Sequence, residues 1–504
     1  MSRRMLVLGL DAADSTLIQK WSDEGILPTL AFLRREGAWI PLAEDRPMPS
    51  ASVWPSIYTG THPGNHGLYS SLQIGPGKQE VELIKPNQCG EPPFWRILDR
   101  HGKASIIMDV PFSYPLTDFS GIQVLDWGSY ERHYPAQSSP DAILTEISRR
   151  FGAFPFGQKM SRDAPSSARH FSRARAELLA GTALKGSAVR WLMRARSWDF
   201  LMAVFSEPHP AGHYFWSFHS EGHSDSVSAS PPEFTTVIKD VYRAVDTEIA
   251  RIMKNLDATI TLVVLSGQGM GPNAAKWPYI PEVLSRLGML VGRTSKDLHW
   301  LAAFRDLVPR QWRRAVSRHL PGTLRDHLQV HWANSGIDWR QTRAFPLPTD
   351  LLGYIRINLK GREPRGVVEP GAEYERVCGE ISEALKELVD PKTGARIVRE
   401  VFHADKVFPG AQRHRLPDLI VSWQDGPAVP EARAQSWGGI NGDSVDPRSG
   451  NHRQEGFALF YGPGIKKDRV AKGRITDIAP TILQYFGLKP PATIDGRNLL
   501  DDFC

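Results

Sequence analysis

Five short segments hold the residues best suited to chemistry. Asp11 closes the apolar run Leu6-Val7-Leu8-Gly9-Leu10, and Ser50 opens Ser50-Ala51-Ser52-Val53-Trp54. His209 and His213 stand four apart in His209-Pro210-Ala211-Gly212-His213. Gln268 lies in Ser266-Gly267-Gln268-Gly269-Met270, and His452 in Gly450-Asn451-His452-Arg453. Residues four apart on a helix share a face, so His209 and His213 could grip one ion, although Pro210 and Gly212 weaken a regular helix there. An Asp at a strand end either meets a cation at the sheet edge or caps the helix that follows. Ser50 precedes an expected helix from Val53 to Thr59, whose free N–H groups would attract a phosphate. A hydroxyl becomes a nucleophile at neutral pH only when a metal or a base stabilises its alkoxide. The plainer reading makes Ser50 or Ser52 an N-cap.

The elements that must position these groups show as short apolar runs: Met5 to Leu10, Ala104 to Met108, Phe200 to Phe205, Ile260 to Leu265, Leu419 to Val421 and Phe457 to Phe460. Such runs fit strands of a parallel sheet buried on both faces. Helical patterns lie between them, at Pro28 to Glu36, Phe94 to His101, Thr236 to Leu256, Tyr374 to Leu388 and Ile478 to Phe486. The alternation predicts an α/β fold with a doubly wound, mostly parallel sheet. Each segment sits where a strand hands over to a loop or helix, the edge at which open α/β sheets collect catalytic groups.

Two stretches break the alternation. One, about 113–185, is rich in Pro, Ser and Gly, and the other, 298–338, is rich in Arg, His and Trp. The expectation is a core in two parts, 1–297 and 339–504, with both stretches as insertions forming a cap over the carboxyl edge of the sheet.

The segments and their order resemble the alkaline phosphatase superfamily, nearest its type I phosphodiesterase/nucleotide pyrophosphatase branch. Pro63-Gly64-Asn65-His66-Gly67 matches that branch's Pro-x-x-His-Gly run, and Ser50, ten residues before Gly60, holds its nucleophile offset. Pro93-Phe94-Trp95-Arg96-Ile97-Leu98, Tyr354-Ile355-Arg356-Ile357-Asn358-Leu359 and Asp477-Ile478-Ala479-Pro480-Thr481-Ile482-Leu483 extend the likeness over most of the chain. The resemblance implies Ser50 as nucleophile and His209, His213 and His452 as one metal site, His209 standing where the pattern has Asp. It implies a second ion held by Asp11, the nucleophile and an Asp-His pair. Here that pair is Gly267-Gln268, of which only Gln268 offers even a carbonyl oxygen. The expected cofactor is therefore a divalent metal, one zinc with the second ion weak or absent, and manganese or magnesium as alternatives. Sulfatases of the superfamily need a Cys or Ser followed by x-Pro-x-Arg, which Ser50-Ala51-Ser52-Val53-Trp54 lacks. Its phosphoglycerate mutases need two complete manganese ligand sets.

Bulk properties narrow the partners. The chain has 504 residues, 41% hydrophobic and 23% charged, with a formal net charge of +6. That balance suits a small anionic ester substrate without demanding nucleic acid. Arg310, Arg313, Arg314 and Arg318 in the basic stretch 300–332 allow peripheral contact with an anionic membrane, although a solvated helix face is the commoner explanation. The three cysteines, Cys89, Cys378 and Cys504, pair in no metal-binding or disulfide pattern. The apolar run after Met1 is too short for a signal peptide, so the expected compartment is the cytoplasm. The residues set no oligomeric state. The expected activity is metal-dependent hydrolysis, or transfer, at a phosphodiester, pyrophosphate or related anionic ester. The competing reading is an altered or inactive superfamily member that binds a ligand or partner.

Overall fold

The computed structural model describes residues 3–75, 77–156, 165, 167–219, 231–274, 276, 278–292, 336–349, 351–426, 429–441, 448–467 and 472–499. The basic stretch 300–332, its four named arginines and Cys504 lie outside the described residues. The chain divides into two compact units. One comprises Met1–His62, Pro86–Asn273 and Pro447–Cys504; the other comprises Pro63–Lys85 and Ala274–Asp446.

The first unit is built on an eight-stranded sheet. Its strand order is Ala38–Leu42, Gly456–Tyr461, Ile260–Ser266, Arg4–Leu10, Phe200–Phe205, Ser105–Met108, Ile122–Leu125 and Gln137–Ser139. From Ile260–Ser266 to Ile122–Leu125 the strands run parallel. The flanking Gly456–Tyr461 and Gln137–Ser139 run antiparallel to their inner neighbours.

Helices cover both faces, which is why the central strands are apolar at nearly every position. On one face Leu6, Leu8 and Leu10 join a core with Val241, Val245 and Ile249 of the helix Val237–Met253. On the other, Phe200 meets Phe94 of the helix Phe94–Arg100 at 5.3 Å between ring centroids and Phe486 at 6.3 Å. Burying each such side chain stabilises the fold by roughly 1.5–3 kcal/mol.

Two details of the first unit depart from the sequence expectation. Phe457–Phe460 belongs to an antiparallel strand, because an apolar run records burial on two faces and not direction. The stretch 113–185 carries Ile122–Leu125 and Gln137–Ser139, which hydrogen-bond into the main sheet, and the helix Asp141–Phe151. Its polar composition marks the turns between these elements, as at Asp126, whose φ is 55°.

The second unit carries a four-stranded antiparallel sheet in the order Ala344–Leu347, Gly353–Ile357, Leu419–Trp423, Val398–His403. Leu419–Val421, expected in the parallel sheet, is therefore part of a separate one. Tyr279 and Val283 of the helix Tyr279–Arg286 and Val377 and Ile381 of Ala372–Lys386 form its core with Ile355, Ile357, Leu419 and Val421. Among the described residues no helix is long and apolar enough to cross a membrane.

Candidate metal centre

The register of the first unit brings three chain segments to one edge. Leu10 pairs with Phe205 and Gly9 with Leu265, so the residues after these strands emerge side by side. They are Asp11, the segment from Glu207 to His213, and Gln268.

The segment around His209 does form a helix, Pro208–Phe215. Pro208 and Pro210 fall within its first turn, where backbone N–H groups have no partner inside the helix, so neither breaks a bond. Gly212 permits close packing: a Cβ there would lie 2.8 Å from Met270 Cγ. Gly450 does the same from the other side, since its Cβ would come within 2.2 Å of the Gly212 carbonyl oxygen. The strand Gly450–Arg453 pairs antiparallel with Gly269–Pro272, opposing His452 to Met270. These small residues let the helix and the two-stranded sheet approach until His452 reaches His209 and His213.

The three imidazoles are buried, and one nitrogen from each lies within 4.8 Å of the others. His209 Nε2 and His213 Nε2 face each other at 2.9 Å. The outer nitrogens explain why that contact needs a cation. His213 Nδ1 lies 2.8 Å from the Gly450 carbonyl oxygen, an acceptor only, so it must carry the proton. His209 Nδ1 lies 2.8 Å from Asp11 Oδ2 and likewise donates. Both neutral rings then turn Nε2 lone pairs toward one point, which requires a shared proton or metal ion between them. Burial pushes His213 well below the ordinary imidazole range, with His209 adding to the shift. Burial also opposes charge on His209, but the Asp11 carboxylate outweighs it and raises that imidazole. The donor set fits a transition-metal ion such as zinc.

Asp11 is buried, and burial alone would raise it; the His209 charge and hydrogen bond with the Trp54 N–H hold it below the usual carboxylate range. Trp54 Nε1 donates to Asp11 Oδ1 at 2.8 Å. Asp11 does not cap the helix after its strand. The cap of Ser15–Asp23 is Asp14, whose side chain accepts from the Leu17 N–H.

Ser50 begins a 3-10 turn, Ser50–Ser52, and the helix Val53–Thr59 follows directly. Ser50 is half-buried, whereas Ser52 is fully buried and makes no side-chain cap to that helix. Gln268 is buried beside Ser266, whose hydroxyl donates to the main-chain carbonyl oxygen of Gln268 at 2.8 Å and accepts from the Ala13 N–H at 3.0 Å.

Two neighbours of the histidines escaped the sequence reading. Trp54 sits inside the Ser50 segment and could have been suspected there. Tyr130 lies in the stretch read as an insertion and carried no signal. Its ring stands 4.6 Å from that of His209, and its hydroxyl meets the Tyr214 hydroxyl at 2.7 Å.

The type I phosphodiesterase/nucleotide pyrophosphatase family matches residues 5–437. No curated protein matches the chain. Among solved structures it is similar to phosphonoacetate hydrolase from Sinorhizobium meliloti 1021 in complex with phosphonoformate, at 13% identity and a TM-score of 0.54, over 96% of both chains. It is also similar to an inactive form of murine ectonucleotide pyrophosphatase/phosphodiesterase 5 in complex with AMP, at 13% identity and a TM-score of 0.50, over 100% of both.

Proposed function

Because this chain belongs to the type I phosphodiesterase/nucleotide pyrophosphatase family, we propose that it hydrolyses a small phosphodiester, pyrophosphate or related anionic ester with Ser50 as nucleophile. His209, His213 and His452 hold the divalent ion, zinc. The observation that carries this reading is the approach of the buried His209 and His213 Nε2 atoms to 2.9 Å while both Nδ1 atoms contact oxygen acceptors elsewhere.

When bound, the ion supplies positive charge beside the reacting phosphoryl oxygens. Ser50 Oγ forms the bond to phosphorus as the bond to the leaving oxygen breaks, and the hydroxyl proton ends on that departing alkoxide or phosphate oxygen. Water then cleaves the phosphoserine. Asp11 keeps His209 in the tautomer that presents Nε2. Tyr130 packs at a tilt against His209, 4.6 Å between ring centroids, and limits water there. Neither Cys89 nor Cys378 is in a disulfide, which supports a cytoplasmic setting.

The test is a panel of chromogenic phosphomonoester, phosphodiester, phosphonate and sulfate substrates, with nucleotide and phosphonate esters added because AMP and phosphonoformate occupy the similar structures. Each is assayed with zinc, manganese and magnesium. Zinc-supported diester cleavage that Ser50→Ala abolishes and Ser52→Ala leaves near wild type is the expected result. Full turnover in Ser50→Ala would overturn the serine mechanism. Tight metal binding with no cleavage of any ester would favour the ligand-binding reading.

A further inference from the structure

The resemblance places an Asp-His pair where this chain has Gly267 and Gln268, and with Asp11 that pair would hold a second ion. The residues present do not fit one. We infer that Trp54, Val53 and Ile57 fill the second-ion position, and that Asp11 has become the partner of His209 instead of an ion ligand. This deepens the proposed function and rests on it for the identity of the remaining centre.

The packing is specific. A Cβ built at Gly267 would lie 2.3 Å from Val53 Cγ1 and 2.7 Å from Ile57 Cδ1. Both distances are far inside van der Waals contact, so a carboxylate at 267 would have to displace the Val53 and Ile57 side chains from their packed positions. Where the resemblance asks for a ligand, the chain has buried aliphatic groups. Trp54 completes the closure. Its ring lies over Gly9, where a Cβ would meet Cη2 at 2.6 Å, so the indole is seated on a bare stretch of the Arg4–Leu10 strand.

Charge points the same way. Trp54 Nε1 donates to Asp11 Oδ1 and His209 Nδ1 to Asp11 Oδ2, both at 2.8 Å. Each oxygen thus already accepts a hydrogen bond, so the carboxylate's charge is partly compensated and its hold on an approaching cation is weakened. A divalent ion there would exchange its hydration shell for one neutral Gln268 carbonyl oxygen, a shared carboxylate, a hydroxyl and hydrocarbon, far short of what a hard cation needs. The lost ligands and the new packing form one consistent change.

Metal analysis of purified protein after loading with zinc or manganese tests this, alongside the Trp54 indole N–H resonance in 15N-labelled protein, assigned by its loss in Trp54→Phe. Wild type should hold about one equivalent. Gly267→Asp/Gln268→His should hold no more, because Val53 Cγ1 and the Trp54 N–H still occupy the position. Adding Val53→Ala, Ile57→Val and Trp54→Phe to that pair should admit a second equivalent. The wild-type Trp54 indole N–H should stay downfield and slow to exchange at saturating metal. A second tight equivalent in wild type or in the two-residue variant, or an indole N–H released by metal, would overturn the inference. Failure of the five-residue variant to bind a second ion would also overturn it, since folding of each variant is checked by circular dichroism and only folded protein is scored. Wild type holding no metal at all would instead sink the proposed histidine centre, and the indole resonance would then decide the closure by its protection alone.

Discussion

Asp11 and His209 form a buried pair in which Oδ2 lies 2.8 Å from Nδ1, joining the end of the first strand to the helix after Phe200–Phe205. The pair settles which nitrogen of His209 faces inward. It also links Trp54, through the other carboxylate oxygen, to the geometry of the imidazole cluster.

Asp11→Asn keeps the shape of the side chain but can offer only one acceptor to two N–H donors. We expect metal affinity to fall roughly 10–100-fold, as for other outer partners of ligating histidines. Competition with a chromogenic chelator measures this; unchanged affinity would show that the Gly450 and Asp11 contacts do not set the tautomers.

His213→Ala leaves two imidazoles and an open site. Saturating zinc at about 100 times Kd should stabilise wild type by about 2.7 kcal/mol, and the variant by almost nothing. Thermal melts with and without zinc give the comparison, and equal shifts in both proteins would contradict it.

Lys185 and Asp109 form a fully buried ion pair. Asp109 also accepts the N–H groups of Trp127 and Gly128, both at 2.8 Å, and the Lys185 ammonium lies 5.6 Å from the Trp127 ring centroid. Lys185→Met strands the carboxylate and should cost about 3–5 kcal/mol. Lys185→Met/Asp109→Asn should recover part of that loss, because no charge is left unpaired; Asn also tolerates the φ of 51° at position 109. Urea unfolding of the three proteins decides it.

Burial pushes Asp126 up to about 6, against the Tyr134 and His133 N–H groups that favour its anion. A carboxyl raised on folding adds nothing below the ordinary pKa of about 3.8, costs stability increasingly as pH rises, and reaches its full cost above about 6. Asp126→Asn keeps an acceptor for both N–H groups. It should match wild type near pH 4 and exceed it by up to about 3 kcal/mol above pH 7. A difference in stability that is flat between those values would refute the assignment.

Local pattern carried much of the architecture. Met5–Leu10, Phe200–Phe205 and Ile260–Leu265 are readable as buried strands because helices on both faces leave every position but Thr261 without a polar side chain. Spacing alone put His209 and His213 on one side of a helix, and the missing side chain at Gly267 was visible as a lost ligand. Direction and sheet membership were not readable for Phe457–Phe460 and Leu419–Val421, since burial leaves the same apolar run in either orientation. Nor were the partners that define the site. His213 finds the Gly450 carbonyl 237 residues along the chain, and His209 finds Asp11 198 residues back. The sequence showed Gly267 as empty, whereas the tertiary structure shows its space filled by Val53 and Ile57 and the nearby carboxylate held by Trp54. Residue types and short spacings determine which groups can do chemistry. Which of their atoms remain available depends on contacts between distant segments, and those exist only once the strands have aligned and the helices have packed.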